Sequence, residues 1–326
     1  MEYTIYQLEF KTGVHFGTGM LNESACTFKA DQIFSALYIE ALKLNLQQQL
    51  YDAVKKGNLL ISDAFPYIGQ QYMIPKPMIY VEPVNRGESK QKKAYKKMKF
   101  IPVECLIDFL NGKMDLSNDP MEHYGHYFQQ TMAAVRTGEE TLPYRVGTFY
   151  YGEGCGLYII AAYQSENEKC LMEKLLTALS YTGIGGKKSG GLGKYRYNEG
   201  QIPEQLLECL QKKSDRYMLL SVALPADEEL ENAMENASYL LEKRSGFVAS
   251  SDYAEEWRKK KDLYVFTAGS CFVNCFAGDI YDVSEGGKHP VYRYESRFLW
   301  GYHYEGLFKT LPGENMCIIP SLYRFR

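Results

Sequence analysis

The sequence predicts an α+β fold made of two tandem βαββαβ modules, the first of which carries a long insertion. Between residues 1 and 215, the segments follow one another in the order strand, helix, strand, strand, helix, strand. From residue 216 to residue 326 this order partly recurs. A module with this order can close a four-stranded antiparallel sheet with two helices on one face, which is the ferredoxin-like, RRM-like arrangement.

The elements of the first module follow from hydrophobic periodicity. The segment YTIYQLEF at 3–10 alternates with period two, as a half-buried strand does. The segment ADQIFSALYIEALKL at 30–44 places its apolar residues on one helical stripe, and Asp31 lies near its N-terminus, where a carboxylate favours the helix dipole. The remaining elements are a strand in NLLISDAFPYI, the strand GLYIIAAY, the helix ENEKCLMEKLLTALSYT and the strand KYRY.

The second module is predicted from fewer signals. A polar link, QKKSDR at 211–216, precedes the alternating strand YMLLSVALP. The segment ADEELENAMENASYL at 226–240 is expected to be a helix, and LYVFTAGSCFVN at 263–274 is expected to form strands. No segment is assigned to the second helix of this module. The basic segment WRKKK at 257–261 is expected to be the solvated face of a helix.

Residues 79–145 interrupt the first module and are too long for a simple connection. The insertion contains a basic run from Arg86 to Lys99, which is equally compatible with a solvated, mobile segment and with RNA binding, where its aromatic neighbours could stack on bases. It ends in a predicted hairpin around 137–140, which is expected to act as a thumb. Arg136 and Arg145 flank the tip of this hairpin and are candidate RNA contacts.

Composition limits the classes of function. The net charge of −3 gives no global attraction to nucleic acid, so any such attraction must come from local patches. The eight cysteines form only one close pair, C-x3-C, so a zinc site is not expected. No apolar run is long enough to span a membrane, and the N-terminus is unlike a signal peptide. We expect a cytoplasmic protein with reduced thiols, no membrane partner and no cofactor.

The segment TGIGGKKSGGLGKYRY, at 182–197, holds six glycines within eleven residues. It leaves a predicted helix and enters a predicted strand, which is the reverse of the order in nucleotide-binding glycine loops. A helix C-cap needs only one glycine, so the excess favours a backbone that approaches phosphates closely. The candidate RNA-binding residues in this segment are Gly183, Gly185, Gly186, Lys187, Lys188, Gly190, Gly191, Gly193 and Lys194.

Two further candidates lie outside this segment. His15, in GVHFG after the first strand, is a candidate RNA contact or a general acid or base in RNA cleavage, and it is equally compatible with no functional role. No acid–base partner for it can be identified from spacing. Arg244, in LEKRSGF, belongs to a weaker basic, glycine-containing turn of the second module and is a further RNA-binding candidate.

Three of these features resemble one protein family. The glycine segment GIGGKKSGGLGKY at the end of the second helix of a ferredoxin-like module is similar to the glycine-rich loop of the RAMP superfamily of CRISPR-associated proteins. The strand followed by GVHFG, and DQIFSAL opening the first helix, resemble the N-terminal signature of one branch, which supplies subunit 4 of type III-A Csm complexes.

The resemblance implies a non-catalytic subunit that binds and caps the 5′ handle of the crRNA. It also implies contacts with the large polymerase-like CRISPR subunit and with a backbone RAMP subunit, and only indirect contact with target RNA. His15, Arg136, Arg145 and the glycine segment map onto the family pattern. Two alternatives remain open: an endoribonuclease of the same superfamily that processes repeat RNA with His15, and a scaffold subunit that binds only proteins.

Overall fold

The computed structural model describes residues 1–82, 84, 97–114, 119, 121–134, 141–250 and 253–302. The chain packs as two compact units. The first unit comprises Met1–Leu59, Ala64–Ile74 and Asn118–Ile202, and the second comprises Leu60–Asp63, Pro75–Ser117 and Pro203–Arg326. Each unit thus combines separate stretches of sequence. The division into 1–215 and 216–326 stays a prediction.

The described part of 1–202 contains strands, helices and a few short 3₁₀ turns. In chain order the helices and strands are β1 (Glu2–Phe10), α1 (Ala30–Lys43), α2 (Gln47–Lys55), β2 (Leu59–Ile61), β3 (Phe65–Ile68), β4 (Gln71–Pro75), β5 (Phe100–Pro102), α3 (Leu106–Leu110), β6 (Gly125–Ala134), β7 (Leu142–Tyr151), β8 (Cys155–Tyr163), α4 (Glu166–Thr182) and β9 (Tyr195–Gly200).

The described part of 203–302 continues with short elements. They are α5 (Glu204–Gln211), β10 (Arg216–Leu219), α6 (Asp227–Met234), β11 (Leu241–Arg244), β12 (Leu263–Phe266), β13 (Cys271–Phe272), β14 (Gly278–Asp282), β15 (Tyr292–Ser296) and β16 (Leu299–Tyr302).

The sheet of the first unit has the strand order β4–β3–β8–β1–β9, and all neighbours in this series are antiparallel. The helices α1 and α4 pack against each other. Tyr6 of β1 faces α4, where its hydroxyl lies 3.4 Å from Oε1 of Glu173. The α+β fold is confirmed, and the order β3–β8–β1–β9, with α1 and α4 as the two helices, is consistent with the predicted ferredoxin-like module.

The face of this sheet opposite Tyr6 is lined by tyrosines that are buried. Gln7, the next residue of β1, lies opposite Tyr158 of β8 and donates a hydrogen bond to the Tyr72 hydroxyl at 2.9 Å. The Tyr158 hydroxyl donates to the Met73 carbonyl at 2.7 Å. Tyr67, Tyr72 and Tyr158 all have little or no exposed surface. This aromatic sheet face is therefore part of the core.

The second unit is built on short strands. Strands β13, β10 and β16 form one antiparallel sheet, while β11–β12 and β14–β15 form two antiparallel pairs. Leu219 of β10, Phe266 and Phe272 belong to one buried apolar cluster, against which Leu230 of α6 packs. This cluster gives the unit an apolar core although its strands have only two to five residues.

The second unit differs from the sequence expectations in two respects. Helix α6 covers only Asp227–Met234 of the helix expected at 226–240, and Asn236 takes a left-handed conformation at φ 53° just after it. The segment 257–261 is extended, so its interpretation as a helix face is wrong. Between 216 and 302, the described residues contain no helix other than α6, and the second helix of the module stays unassigned.

The predicted hairpin is confirmed, because β6 and β7 pair antiparallel from Gly125–Tyr151 to Ala134–Leu142. Its tip at 135–140, which includes Arg136, lies outside the described residues. Most of the basic run also lies outside them. None of the helices in the described chain combines the length and the apolar character that crossing a bilayer requires.

The buried hydroxyl of Tyr158 provides a test of the aromatic sheet face. Tyr158→Phe removes a donor from a buried carbonyl, so we expect the free energy of unfolding to fall by about 1 to 2 kcal/mol. Urea denaturation of the full chain measures this change. Tyr181→Phe, on an exposed ring of α4, is the matched control and should be neutral. Equal stability of both variants would contradict the assignment.

Candidate RNA interface

Three segments of the first unit meet at one edge of the fold. They are the segment 12–25 after β1, strand β7 of the hairpin, and the glycine loop, defined here as residues 183–194. Val14 and Phe149 exchange backbone hydrogen bonds of 2.9 Å, so the first segment pairs with β7. The Gly186 N–H donates to the His15 carbonyl at 2.8 Å, and the Gly193 N–H donates to the Gly13 carbonyl at 2.9 Å. The segment 12–25 therefore lies between the hairpin and the glycine loop.

The two ends of the glycine loop are bonded to each other. Gly183 ends helix α4 at φ 83°, and its N–H donates to the Leu179 carbonyl at 2.7 Å. The Ile184 N–H donates to the Gly193 carbonyl at 3.0 Å. Gly193 has φ 75°, and a Cβ there would lie 1.9 Å from the Ile184 carbonyl oxygen. The neck of the loop therefore excludes any side chain at residue 193.

Gly185 and Gly186 approach the protein's own backbone. A Cβ at Gly185 would lie 2.8 Å from the His15 carbonyl oxygen, and one at Gly186 would lie 2.7 Å from Cδ2 of His15. The sequence interpretation assigned the excess of glycines to contact with phosphate. The geometry gives a different reason for Gly183, Gly185, Gly186 and Gly193, because each is needed for close contact within the chain.

The tip of the loop, residues 187–191, is the part that no such contact explains. Lys187 takes a left-handed conformation at φ 58°, a 3₁₀ turn covers Lys188–Gly190, and Gly191 is again left-handed at φ 87°. Ser189, Gly190 and Gly191 are exposed. A Cβ at Gly191 would meet no atom within 4 Å. Turns of this kind gather backbone N–H groups and can form concavities for anions.

The tip lies over the hairpin. The Lys187 Nζ is 4.8 Å from the centroid of the Tyr144 ring, which is a cation–π distance. A Cβ at Gly190 would lie 3.1 Å from Cε of Met132, which is opposite Tyr144 in the hairpin register. The tip thus places the Lys187 ammonium over an aromatic ring at one edge, a combination that suits single-stranded nucleic acid.

The base of the loop is fixed by three hydrogen bonds of Lys194 and Tyr195. The Tyr195 hydroxyl donates to the Leu176 carbonyl at 3.2 Å, and burial raises the pKa of Tyr195 well above its usual value, so this hydroxyl stays protonated. The Lys194 ammonium donates to the Tyr181 carbonyl in the last turn of α4. The Lys194 N–H also donates to the Thr12 hydroxyl at 3.1 Å. Lys194 therefore has a partner at a helix C-terminus, where a cation is favourable.

His15 is 7% exposed and lies between β7 and the glycine loop. Its Nδ1 is 2.7 Å from the Gly147 carbonyl oxygen. Since a carbonyl only accepts, Nδ1 carries the proton in the neutral ring and Nε2 is left as an acceptor. Gly17 and Gly186 lie beside Nε2, because a Cβ on either would be 3.6 Å away. The ring therefore connects the hairpin to the loop.

The three arginine candidates lie in different parts of the chain. Arg145 is exposed on β7, where it lies opposite Thr131. Because adjacent residues of a strand point to opposite faces, Arg145 and Tyr144 lie on opposite faces of the hairpin. Arg136 lies outside the described residues. Arg244 lies on β11 of the second unit and forms a 2.8 Å ion pair with Glu242. The structure thus brings Arg145, His15 and the glycine loop together in one unit and places Arg244 in the other.

Sequence reasoning did not identify Gly13 and Met132. Gly13 accepts the Gly193 hydrogen bond, and a Cβ there would lie 2.6 Å from the Tyr150 ring. The glycines around His15 in KTGVHFG could have indicated the contact of Gly13 with the glycine loop, because two segments that contain glycines can approach each other closely. Within the described chain, no group of three or more His, Cys, Asp or Glu residues is arranged to hold a metal ion.

A series of glycine substitutions tests which part of the loop is structural. Gly193→Ala combines a left-handed backbone with a carbonyl clash, so we expect it to cost more than about 2 kcal/mol of unfolding free energy. Gly191→Ala has only the backbone strain, about 1 to 2 kcal/mol. Gly190→Ala meets one flexible methionine end and should cost under about 0.5 kcal/mol. Urea denaturation of the three variants measures the order, and a tip substitution as costly as Gly193→Ala would contradict it.

Comparisons with known proteins identify the family of the chain. The family model of the CRISPR Csm4 C-terminal domain matches residues 212–302. The CRISPR system Cms protein Csm4 of Mycobacterium tuberculosis is 39% identical over 297 residues, which are 90% of this chain and 96% of that protein.

Two solved structures share the fold. The Csm3–Csm4 subcomplex of the type III-A CRISPR-Cas interference complex contains a chain with a TM-score of 0.62 and 18% identity, covering 92% of this chain and 99% of that one. The Csm1–Csm4 cassette in complex with cA4 contains a chain with a TM-score of 0.59 and 18% identity, covering 94% and 100%. The expected branch is confirmed by sequence: with 39% identity to a Csm4 protein over 90% of its length, the chain belongs to the Csm4 family of CRISPR-system subunits.

Proposed function

We propose that this chain is a non-catalytic RNA-binding subunit of a type III-A CRISPR effector complex in the cytoplasm, where it binds and caps the 5′ handle of the crRNA. The observation that carries this proposal is the exposed loop tip, which places the Lys187 ammonium over the Tyr144 ring and carries Lys188 as the next residue. Backbone and ammonium contacts of this kind position an RNA strand without reading its sequence.

The burial of the aromatic sheet face is a second reason to propose the loop tip and the hairpin as the RNA surface. RRM modules stack bases on aromatic residues of an open sheet. Here Tyr67, Tyr72 and Tyr158 are buried and have no ring surface to offer. Within the first unit, the strand of RNA is therefore left with the loop tip and the hairpin, where Arg145 and Tyr127 are exposed on the hairpin face opposite Tyr144.

Two protein partners complete the proposal. Relatives with the same fold have been solved as a Csm3–Csm4 subcomplex and as a Csm1–Csm4 cassette. We accordingly expect this chain to dock the large polymerase-like subunit and to contact a backbone RAMP subunit. Target RNA would meet the chain only through its pairing with the crRNA. Arg136 keeps its predicted role at the hairpin tip.

The lysines of the tip provide the direct test. Lys187→Ala with Lys188→Ala should lower crRNA affinity and reduce the slope of log affinity against log salt by up to about 1.4, because each lost contact with single-stranded RNA contributes about 0.7. A titration of the complex-derived crRNA at several salt concentrations measures the slope. Lys174→Ala, an exposed lysine of α4, is the control and should change neither value. An unchanged slope in the double variant would favour a scaffold that binds only proteins.

His15 distinguishes this proposal from an endoribonuclease. The ring donates through Nδ1 to Gly147 and is almost fully buried, which suits a positioning residue. We expect the purified chain to leave repeat RNA uncut without metal, and His15→Asn, whose amide can still donate to Gly147, to leave crRNA length unchanged. Gel analysis of the RNA after incubation measures both. Cleavage by the parent chain that His15→Asn abolishes would establish the endoribonuclease instead.

A further inference from the structure

The second unit carries a two-stranded ribbon that extends beyond its named strands. Strands β11 and β12 pair from Leu241–Phe266 to Arg244–Leu263. The ribbon continues through an antiparallel bridge between Phe247 and Lys259, with the Val248 N–H donating to the Arg258 carbonyl at 3.0 Å. The basic segment 257–261 is therefore one edge of a ribbon, and its side chains point alternately to the two faces.

Two large aromatic residues are exposed on this ribbon. Trp257 is 84% exposed and Phe247 is 51% exposed. Their ring centroids are 5.9 Å apart with an interplanar angle of 70°, which is an edge-to-face contact. Since Trp257 lies two residues from the cross-strand partner of Phe247, both rings share a ribbon face. An exposed aromatic pair of this kind offers ring surface and a polar indole N–H to a ligand.

The charges around the pair are mainly positive. Lys259 lies directly opposite Phe247, and Arg258 and Lys261 flank it. These three form no ion pair with any residue in the described parts of the chain. The nearby Asp262 is 2.7 Å from Lys243, and its pKa is lowered mainly by that hydrogen bond and further by the charge of Lys259. Glu255 and Glu256 are the acidic residues that precede Trp257 in the sequence.

We propose that Phe247, Trp257 and Lys259 form a stacking platform for single-stranded RNA, with the indole carrying a base and the ammonium meeting the adjacent phosphate. Exposed rings interleaved with cations are the combination that binds single strands with little sequence preference. A protein partner fits less well, because lysine is depleted where protein interfaces are most buried. The platform extends the proposed RNA-binding function to the second unit, and it shares no residue with the glycine loop.

The two tryptophans of the chain make the platform directly observable. Trp300 is 1% exposed, and its Nε1–H has no hydrogen-bond acceptor among the described residues, so Trp300→Phe removes no hydrogen bond and leaves Trp257 as the sole tryptophan. The full chain with this substitution is titrated with a 5′-labelled single-stranded oligouridylate. Trp257 emission and the anisotropy of the label are recorded together. If Trp300→Phe does not fold, the difference in emission between the parent and Trp257→Phe gives the same signal.

We expect Trp257 emission to be quenched in step with the rise in anisotropy. Trp257→Ala should weaken oligouridylate binding about tenfold, because stacking of a base on an aromatic ring is worth about 1 to 3 kcal/mol and 1.4 kcal/mol is tenfold. Lys259→Ala should lower the salt slope by about 0.7. Tyr80→Ala, an 80% exposed ring in the same unit, is the matched control and should leave both signals unchanged.

Other outcomes overturn the platform and locate the error. A rise in anisotropy with unchanged Trp257 emission would mean that RNA binds elsewhere, and loss of that rise in the Lys187→Ala, Lys188→Ala variant would leave the glycine-loop proposal standing. Equal quenching by polyglutamate, which has no bases, would reduce the platform to a site for any anion. Quenching by a purified neighbouring subunit without RNA would make the ribbon a protein-docking surface. No rise in anisotropy at all would sink both proposals.

Discussion

The close contact between the glycine loop and the segment after β1 is the constraint on which the candidate interface depends. Gly193 donates to Gly13 and Gly186 donates to His15, so two loops that are far apart in sequence are joined through backbone groups. His15 extends this connection to the hairpin through the Gly147 carbonyl. Because glycines allow these approaches, the neck of the loop is held against the segment after β1 before any ligand binds, which reduces the ordering cost of binding.

This constraint changes the meaning of the glycine-rich sequence. A concentration of glycines suggests a mobile loop that wraps a ligand, whereas here most of them remove side chains from a packed junction. The mobile interpretation still applies to Gly190 and Gly191 alone, since neither meets backbone from elsewhere in the chain. The loop is therefore divided into a structural neck and an adaptable tip, and the two parts differ in which property a substitution would alter.

The first unit could be predicted from the sequence because its periodic segments are long. Strand β1, helix α1, strand β8 and helix α4 each have nine or more residues with a clear pattern. Helix α2 was missed because its polar sequence QQQLYDAVK shows only three buried residues. In the second unit the strands are short and rich in tyrosine, which suits a core and a surface equally, so neither the β14–β15 pair nor the ribbon could be identified.

Only those parts of the candidate site that are contiguous in sequence could be predicted. Lysines and glycines that are neighbours in sequence could be recognised as one loop, and the His15 motif could be recognised by its own glycines. The contact between the glycine loop and the His15 motif could not be predicted, because the approach of Gly193 to Gly13 depends on the order of strands in the sheet. Arg244 lies in the other unit, where Glu242 is its ion-pair partner, and its predicted role stays a prediction.

The burial of Tyr67, Tyr72 and Tyr158 has an evolutionary consequence for the first unit. In a module that binds its ligand on the sheet, the residues of the binding face contact the ligand and can change together with it. In this chain the residues at those positions are needed for folding, because their hydroxyls form hydrogen bonds with partners such as Gln7 and the Met73 carbonyl. Under the proposed function, a change in ligand preference would therefore fall on the loop tip and the hairpin, where substitutions leave these buried hydrogen bonds intact.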